Sequence, residues 1–74
     1  MINLRYLHLD VNPIRSVALL SGLINLTYLL LHDNQIVEID SLRNLTNLIA
    51  LTLGHNQIRN VEPLKDLIQL QGLD

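Results

Sequence analysis

The chain has 74 residues, a net charge of −2 and 49% apolar residues, nearly all of them aliphatic. It has no basic stripe to neutralise phosphates, so nucleic-acid binding is not expected. It has no cysteine for disulfides or thiolate metal sites, and no apolar run approaches the about 20 residues of a membrane helix. The amino-terminal segment lacks the basic and long apolar parts of a signal peptide, and nothing in the sequence assigns a compartment.

An internal period of 22 residues organises the whole chain. Shifting the sequence by one period superposes residues of the same type, and every leucine except Leu19 and Leu30 falls in one of the resulting columns. The asparagine column and two of the leucine columns contain Asn12, Asn34 and Asn56; Leu4, Leu26, Leu48 and Leu70; and Leu7, Leu29, Leu51 and Leu73. Residues 1–74 are therefore predicted to form one domain of about three 22-residue repeats and the start of a fourth.

Each repeat begins with a strand pattern and continues with a different period. In the first repeat, Leu7-x-Leu9 alternates with period two, which indicates a short strand with alternate side chains buried. From Ile14 onward the apolar residues are spaced by three, which favours a 3₁₀-like or extended return over a long α-helix. One such coil cannot bury its apolar residues alone. Stacked coils can, with their strands in a parallel sheet about 4.8 Å apart.

The repeat resembles the leucine-rich repeat, L-x-x-L-x-L-x-x-N-x-I-x-x-(V/I)-x-x-L-x-x-L-x-x. The 22-residue internalin-like subclass of this repeat is indicated by four short sequence segments. They are Asn34-Gln35-Ile36, Asn56-Gln57-Ile58, Val61-Glu62-Pro63-Leu64 and Asn44-Leu45-Thr46-Asn47-Leu48. The resemblance implies an α/β solenoid: a right-handed superhelix with parallel strands on the concave face and short 3₁₀ turns on the convex face. It also implies a scaffold that binds another protein through the concave face. Repeat 1 departs from the pattern at Pro13 and at Ala18-Leu19, so it is expected to be an edge coil.

The asparagine column is interpreted as structural. Asn12, Asn34 and Asn56 follow the strands where the chain turns inward, and an amide offers donors and acceptors to backbone groups that a turn leaves unpaired. Neighbouring coils should place these amides in register as a ladder. A buried polar group is tolerated only when it is hydrogen-bonded, so a catalytic role is not expected.

Solenoids need terminal repeats with one polar face, because otherwise the last coil exposes its core to water. Met1 enters directly in a leucine column, and Leu73-Asp74 lies inside a fourth strand pattern. We therefore predict no capping domains. The sequence is expected to be a fragment of a longer array or a chain whose ends are covered by other subunits, and end-to-end self-association stays open.

Strand alternation predicts which side chains form the concave face. The candidate partner-binding residues of the first two repeats are Tyr6, His8, Asp10, Tyr28, Leu30 and His32. Stacking should bring Tyr6 beside Tyr28, Asp10 beside His32 and Asp33 beside His55, with Gly72 and Asp74 continuing the columns. Tyrosine is a frequent interface anchor, and Leu30 would extend the apolar area. Cross-strand packing of the two tyrosines, without any partner, is the alternative interpretation.

Metal binding and catalysis are not expected. His8, Asp10 and His32 are close enough on adjacent strands to suggest zinc, but an open sheet offers few buried supports for metal ligands. The serines lie on the return side, away from the histidines, so no nucleophile–base pair is predicted, and the isolated glycines form no phosphate-binding loop. The sequence thus predicts no enzyme, no cofactor and no metal site.

A second function stays open alongside protein binding. The repeats could be structural spacers within a longer solenoid, without a ligand of their own. The small outward residues of the third repeat, Ala50, Thr52 and Gly54, favour this interpretation for that repeat, whereas the tyrosines favour binding for the other two.

Overall fold

Short strands alternate with short 3₁₀ helices in a computed structural model that describes residues 3–73. The strands are β1 (Tyr6–His8), β2 (Tyr28–Leu30), β3 (Ala50–Thr52) and β4 (Gly72–Leu73). The 3₁₀ helices are η1 (Ala18–Leu20), η2 (Asp40–Asn44) and η3 (Glu62–Leu64). The column positions predicted for Met1 and Asp74 lie outside the described residues. One strand and the following 3₁₀ helix make one coil of the stack.

The strands form one parallel sheet in the order β1-β2-β3-β4. Tyr6 pairs with Tyr28, Tyr28 with Ala50, and Ala50 with Gly72, which is the register that the 22-residue shift predicts. Backbone hydrogen bonds continue beyond the strands: the Leu9 N–H donates to the Leu30 carbonyl at 2.8 Å. Each coil is therefore tied to the next along its whole strand side.

The spacing of three in the sequence is the period of the 3₁₀ return. In the first coil, the N–H groups of Leu20, Leu23 and Leu26 each donate to the carbonyl three residues earlier, at 2.9, 3.0 and 3.1 Å. The second and third coils repeat these bonds at the equivalent leucines, Leu42, Leu45, Leu48, Leu64, Leu67 and Leu70. A helix with three residues per turn brings every third side chain to the same face, so these leucines point into the stack.

Burial follows the position of each coil in the stack. The coil between two others is the best buried, and its residues Leu29, Leu31, Ile36, Leu42 and Leu45 are each 0% exposed. Complete burial of a side chain of this size stabilises the fold by about 1.5–3 kcal/mol.

The end coils also show which neighbour buries each column. Val17 and Ile39 are 2% and 1% exposed, but the equivalent Val61 is 64% exposed, so the following coil covers this column. Leu19 is 95% exposed, whereas the equivalent Pro63 is buried. The preceding coil therefore covers that column.

The predicted solenoid architecture, with strands on one side and 3₁₀ turns on the other, is confirmed. Its superhelical curvature stays a prediction, since four strands are too few to show it.

The asparagine column bridges successive coils. Asn34 is 5% exposed. Its amide donates to the carbonyls of Leu31 and His32 in its own coil and of Leu9 in the preceding coil, at 3.0 to 3.2 Å. Its Oδ1 accepts the N–H of Ile14, also in the preceding coil, at 3.1 Å.

The other two asparagines differ in whether their hydrogen bonds extend to the preceding coil. Asn56 repeats the whole pattern one coil later: it donates to Leu31 and accepts from Ile36, both of the preceding coil. Asn12 is exposed and donates to the Leu9 and Asp10 carbonyls of its own coil.

The residue before each asparagine has a left-handed backbone. The φ angles of Val11, Asp33 and His55 are 58°, 59° and 57°. Asp and His are among the residues that tolerate this conformation, whereas a β-branched residue is a steric outlier there. Val11 is 75% exposed, so its side chain gains little burial to offset this strain.

We expect Asn34→Ala to lower the free energy of unfolding by about 1–3 kcal/mol, because it leaves backbone groups of two coils without their partner. Asn12→Ala is the matched control and should have a smaller effect, since the bonds of Asn12 stay within one coil. Chemical denaturation followed by circular dichroism measures both. An Asn34→Ala chain as stable as the parent would contradict the bridging role.

Val11→Asn should raise the free energy of unfolding by about 1 kcal/mol, because asparagine relieves the left-handed strain. Val11→Thr is the control: it also replaces the exposed valine by a polar residue, but threonine is β-branched, so the left-handed strain remains. Thermal melts of the two variants would compare them directly. Equal shifts would show that removal of an exposed valine, and not the backbone, is responsible.

Candidate functional site

The outward side of the sheet forms a regular surface, called here the strand face. It consists of three rows that run across the first three coils: Tyr6, Tyr28 and Ala50; His8, Leu30 and Thr52; and Asp10, His32 and Gly54. The alternate residues Leu7, Leu29 and Leu51 point into the core, with Leu29 and Leu51 fully buried. The alternation of the sequence thus divides each strand between core and surface.

Two tyrosines form an exposed aromatic pair on the strand face. Their ring centroids are 5.9 Å apart with the planes tilted by 36°, a separation typical of aromatic pairs. Tyr6 and Tyr28 are still 56% and 42% exposed. Leu30, in the same strand as Tyr28, is half-buried. The rings therefore support each other and keep more than a third of their surface available for contact.

Asp10 joins two coils at the edge where the strands end. Its Oδ1 accepts the backbone N–H of His32 at 2.6 Å, and its Oδ2 lies 3.1 Å from Nε2 of His8. The predicted proximity of Asp10 and His32 thus takes the form of a side chain that binds the backbone of the next coil. This contact holds the carboxylate in a defined position.

The His32 ring lies over the third coil. Its Nδ1 is 3.1 Å from Oδ2 of Asp33, and its centroid is 5.0 Å from that of His55, edge to face. Below the ring lies Gly54, where an added Cβ would be 2.5 Å from Nε2 and 2.8 Å from Cδ2 of His32. Gly54 is therefore the residue that leaves room for this ring.

The third coil presents smaller groups that already have contacts within the fold. Thr52 accepts the Leu31 N–H through Oγ1 at 3.2 Å, and Gly54 lies under the His32 ring. Ala50 adds only a methyl group to the row of the tyrosines. The prominent side chains of the strand face thus belong to the first two coils.

The 3₁₀ side of the stack is charged and differs from the strand face. Arg43 lies 3.3 Å from Asp40 in its own coil and 3.5 Å from Glu62 in the next. A hydrogen bond and the positive charge of Lys65 hold the pKa of the Glu62 carboxyl below its ordinary value. The same hydrogen bond and the charge of Glu62 raise the pKa of Lys65. These pairs are well exposed, and each is expected to contribute little to stability.

A polar groove of about 270 Å³ borders the edge where the strands begin, and its lining includes Arg5, Asn25, Thr27 and Asn47. Two of its asparagines already hydrogen-bond within the fold: Asn25 donates to Asn3, and Asn47 donates to the Ile24 carbonyl.

Between residues 3 and 73, no group of three or more His, Cys, Asp or Glu side chains is placed to hold a metal ion. No helix among the same residues is long and apolar enough to cross a membrane.

Comparison with known families identifies this architecture. A family model described as "Leucine Rich repeats (2 copies)" matches residues 2–44 and again residues 24–67. The chain belongs to the leucine-rich repeat family. A search of curated protein sequences gave no match.

Two solved structures that resemble this repeat protein are internalins of Listeria monocytogenes strain 4b F2365. An internalin (inlF) is 40% identical with a TM-score of 0.96, and the match covers 97% of this chain and 21% of that one. Internalin C2 (inlC2) is 32% identical with a TM-score of 0.74, and the match covers 97% of this chain and 42% of that one. The repeat protein is therefore internalin-like, and it spans about a fifth of the first relative and less than half of the second.

The leucine-rich repeat fold generally serves as a non-enzymatic scaffold for protein interactions. This agrees with a surface of exposed, well-supported side chains on a regular sheet. The aromatic and charged residues that the sequence singles out in the first two repeats all lie on or beside the strand face. The sequence pattern does not predict the positive φ angles of Val11, Asp33 and His55 or the contact of Gly54 with the His32 ring, although Asp and His are enriched at positions with a left-handed backbone.

Gly54→Ala should destabilise the repeat protein by about 1–2 kcal/mol, because the added methyl group collides with the His32 ring. Gly22→Ala is the control, since no heavy atom of residues 3–73, apart from its chain neighbours, lies within 4 Å of its added Cβ, and it should be neutral or slightly stabilising.

To test whether contact with the His32 ring is the cause, Gly54→Ala is repeated in a His32→Ala background. There the loss of stability should disappear. Thermal melts give the stabilities, and the His32 ring resonances report whether the ring moves. An equal loss in both backgrounds would show that the ring is not the cause.

Proposed function

We propose that this repeat protein is a protein-interaction scaffold that binds its partner through the strand face, the side that the family resemblance predicts to be concave. The observation that supports this most directly is the exposed pair of Tyr6 and Tyr28 beside Leu30 on the parallel sheet. Aromatic side chains that are already ordered give large contact area at little further loss of conformational freedom.

The surrounding polar residues also belong to the proposed binding surface. His8, Asp10 and His32 border the apolar centre, and their hydrogen bonds hold them in place before any partner arrives. A partly apolar centre with a polar rim is the usual anatomy of a protein interface. We propose that the protein acts by binding alone, without catalysis.

The third coil favours a second role. Its outward groups are small, and the Thr52 hydroxyl and the space above Gly54 are already used by neighbouring residues. We propose that this coil is mainly a structural spacer that extends the stack, and that the first two coils make most of the contact.

The binding proposal can be tested with a display library of folded protein domains selected on the purified chain. For a selected domain, the double variant Tyr28→Ala/Leu30→Ala should weaken affinity by at least about tenfold, since it removes two central contacts. Thr46→Ala, an exposed change after η2 in the same coil, should leave affinity within about twofold.

Biolayer interferometry gives the dissociation constants, and circular dichroism confirms that each variant is folded. Selected domains that bind the double variant as tightly as the parent would reject the strand face as the binding surface. Loss of affinity with Thr46→Ala instead would assign binding to the 3₁₀ side.

A further inference from the structure

Negative charge gathers at the edge of the strand face where the strands end. Asp10 and Asp33 follow the first two strands, and their side chains are 27% and 47% exposed. Asp10 is fixed by the His32 N–H at 2.6 Å, and Asp33 lies 3.1 Å from the His32 ring. With the histidines neutral, this edge carries two negative charges in fixed positions.

The opposite edge has the opposite sign. In the two columns one and three residues before the strands, Arg5 is the charged residue; the others are Asn3, Asn25, Asn47, Gln69, Thr27, Ile49 and Gln71. Arg5 is exposed and comes immediately before Tyr6. Along the strand direction, the surface therefore changes from positive at Arg5, through the aromatic pair Tyr6 and Tyr28 of the first row, to negative at the edge where the strands end.

The tyrosine row and the negative edge are a short distance apart. Tyr6 and Asp10 are separated by four residues in extended backbone, which corresponds to about 13 Å. The same separation relates Tyr28 to His32, whose neighbour is Asp33. A partner that uses both features must present two different side chains at that spacing.

From this arrangement we propose that the strand face recognises a protein segment with two anchors: a Lys or Arg side chain at Asp10 and Asp33, and an apolar or aromatic side chain on Tyr6 and Tyr28. The inference rests on the proposed function and adds the chemical class of the partner. Complementary charge favours the correct partner and steers its approach, while an acidic segment is repelled from this edge.

Random 12-residue peptides displayed on phage provide the test, at neutral pH and low salt. Selection uses the immobilised 74-residue chain, with each round depleted on the Tyr28→Ala chain so that retained peptides depend on the strand face. We expect retained peptides to be enriched in Lys or Arg together with an aromatic or large aliphatic residue. Their binding should weaken as salt is raised.

A matched pair of substitutions then tests the charge. Asp33→Asn removes one negative charge from the edge and keeps a residue that tolerates a left-handed backbone. Asp66→Asn removes one from the 3₁₀ side, so the net charge of the two variants is the same. Asp33→Asn should weaken a synthetic copy of a retained peptide by about tenfold, whereas Asp66→Asn should leave its affinity within about twofold.

Each outcome decides between the two proposals. Retained peptides without an excess of Lys or Arg, or equal effects of Asp33→Asn and Asp66→Asn, would overturn the charge inference and leave the binding role of the strand face intact. If no Tyr28-dependent peptide is retained, the binding role itself fails and the charge inference fails with it.

Discussion

Contact between equivalent side chains of successive coils is the interaction on which the rest of this structure depends. Each strand has two or three residues and each 3₁₀ helix three to five, which is too short to be stable alone. The coil that lies between two others has its core side chains fully buried, whereas Val61 and Leu19, in the coils at the two ends, are largely exposed. Stability is therefore a property of neighbouring pairs of coils, as in other solenoids.

The asparagine column shows how such a stack accommodates a polar group in its interior. The chain must turn inward after each strand, and the turn leaves backbone donors and acceptors that neither the sheet nor the 3₁₀ helix can pair. Asn34 and Asn56 satisfy groups of two coils at once, so the same side chain shapes the turn and joins the coils. The left-handed residue before each asparagine is the conformational requirement of this turn, and Val11 meets it at the expense of strain.

Burying the leucines of the repeat columns on one side of the strands leaves the other side free to vary. The strand face carries an aromatic pair, hydrogen-bonded carboxylates and histidines, while the 3₁₀ side carries exposed ion pairs such as Arg43–Glu62. Because ring contact and hydrogen bonds already hold several of these side chains, they have less freedom to lose when a partner binds. This separation between a repetitive core and a variable surface is the physical basis for interpreting the molecule as a scaffold.

The 22-residue period determined which residues become neighbours. It predicts the columns, the parallel register that pairs Tyr6 with Tyr28, and the 3₁₀ return from the spacing of three. Periodicity can do this because the backbone path repeats, so equal positions in successive repeats must lie one coil apart.

Only the tertiary structure decided how the side chains at those positions share their partners. Asp10 binds the His32 backbone and lies against the His8 ring, and the His32 ring lies over Gly54 and against Asp33 and His55. A column assigns these residues to the same neighbourhood but not to particular rotamers. Which ring nitrogen, carboxylate oxygen or backbone N–H meets which partner depends on the space and the competing partners around each side chain, and these exist only once the coils are stacked.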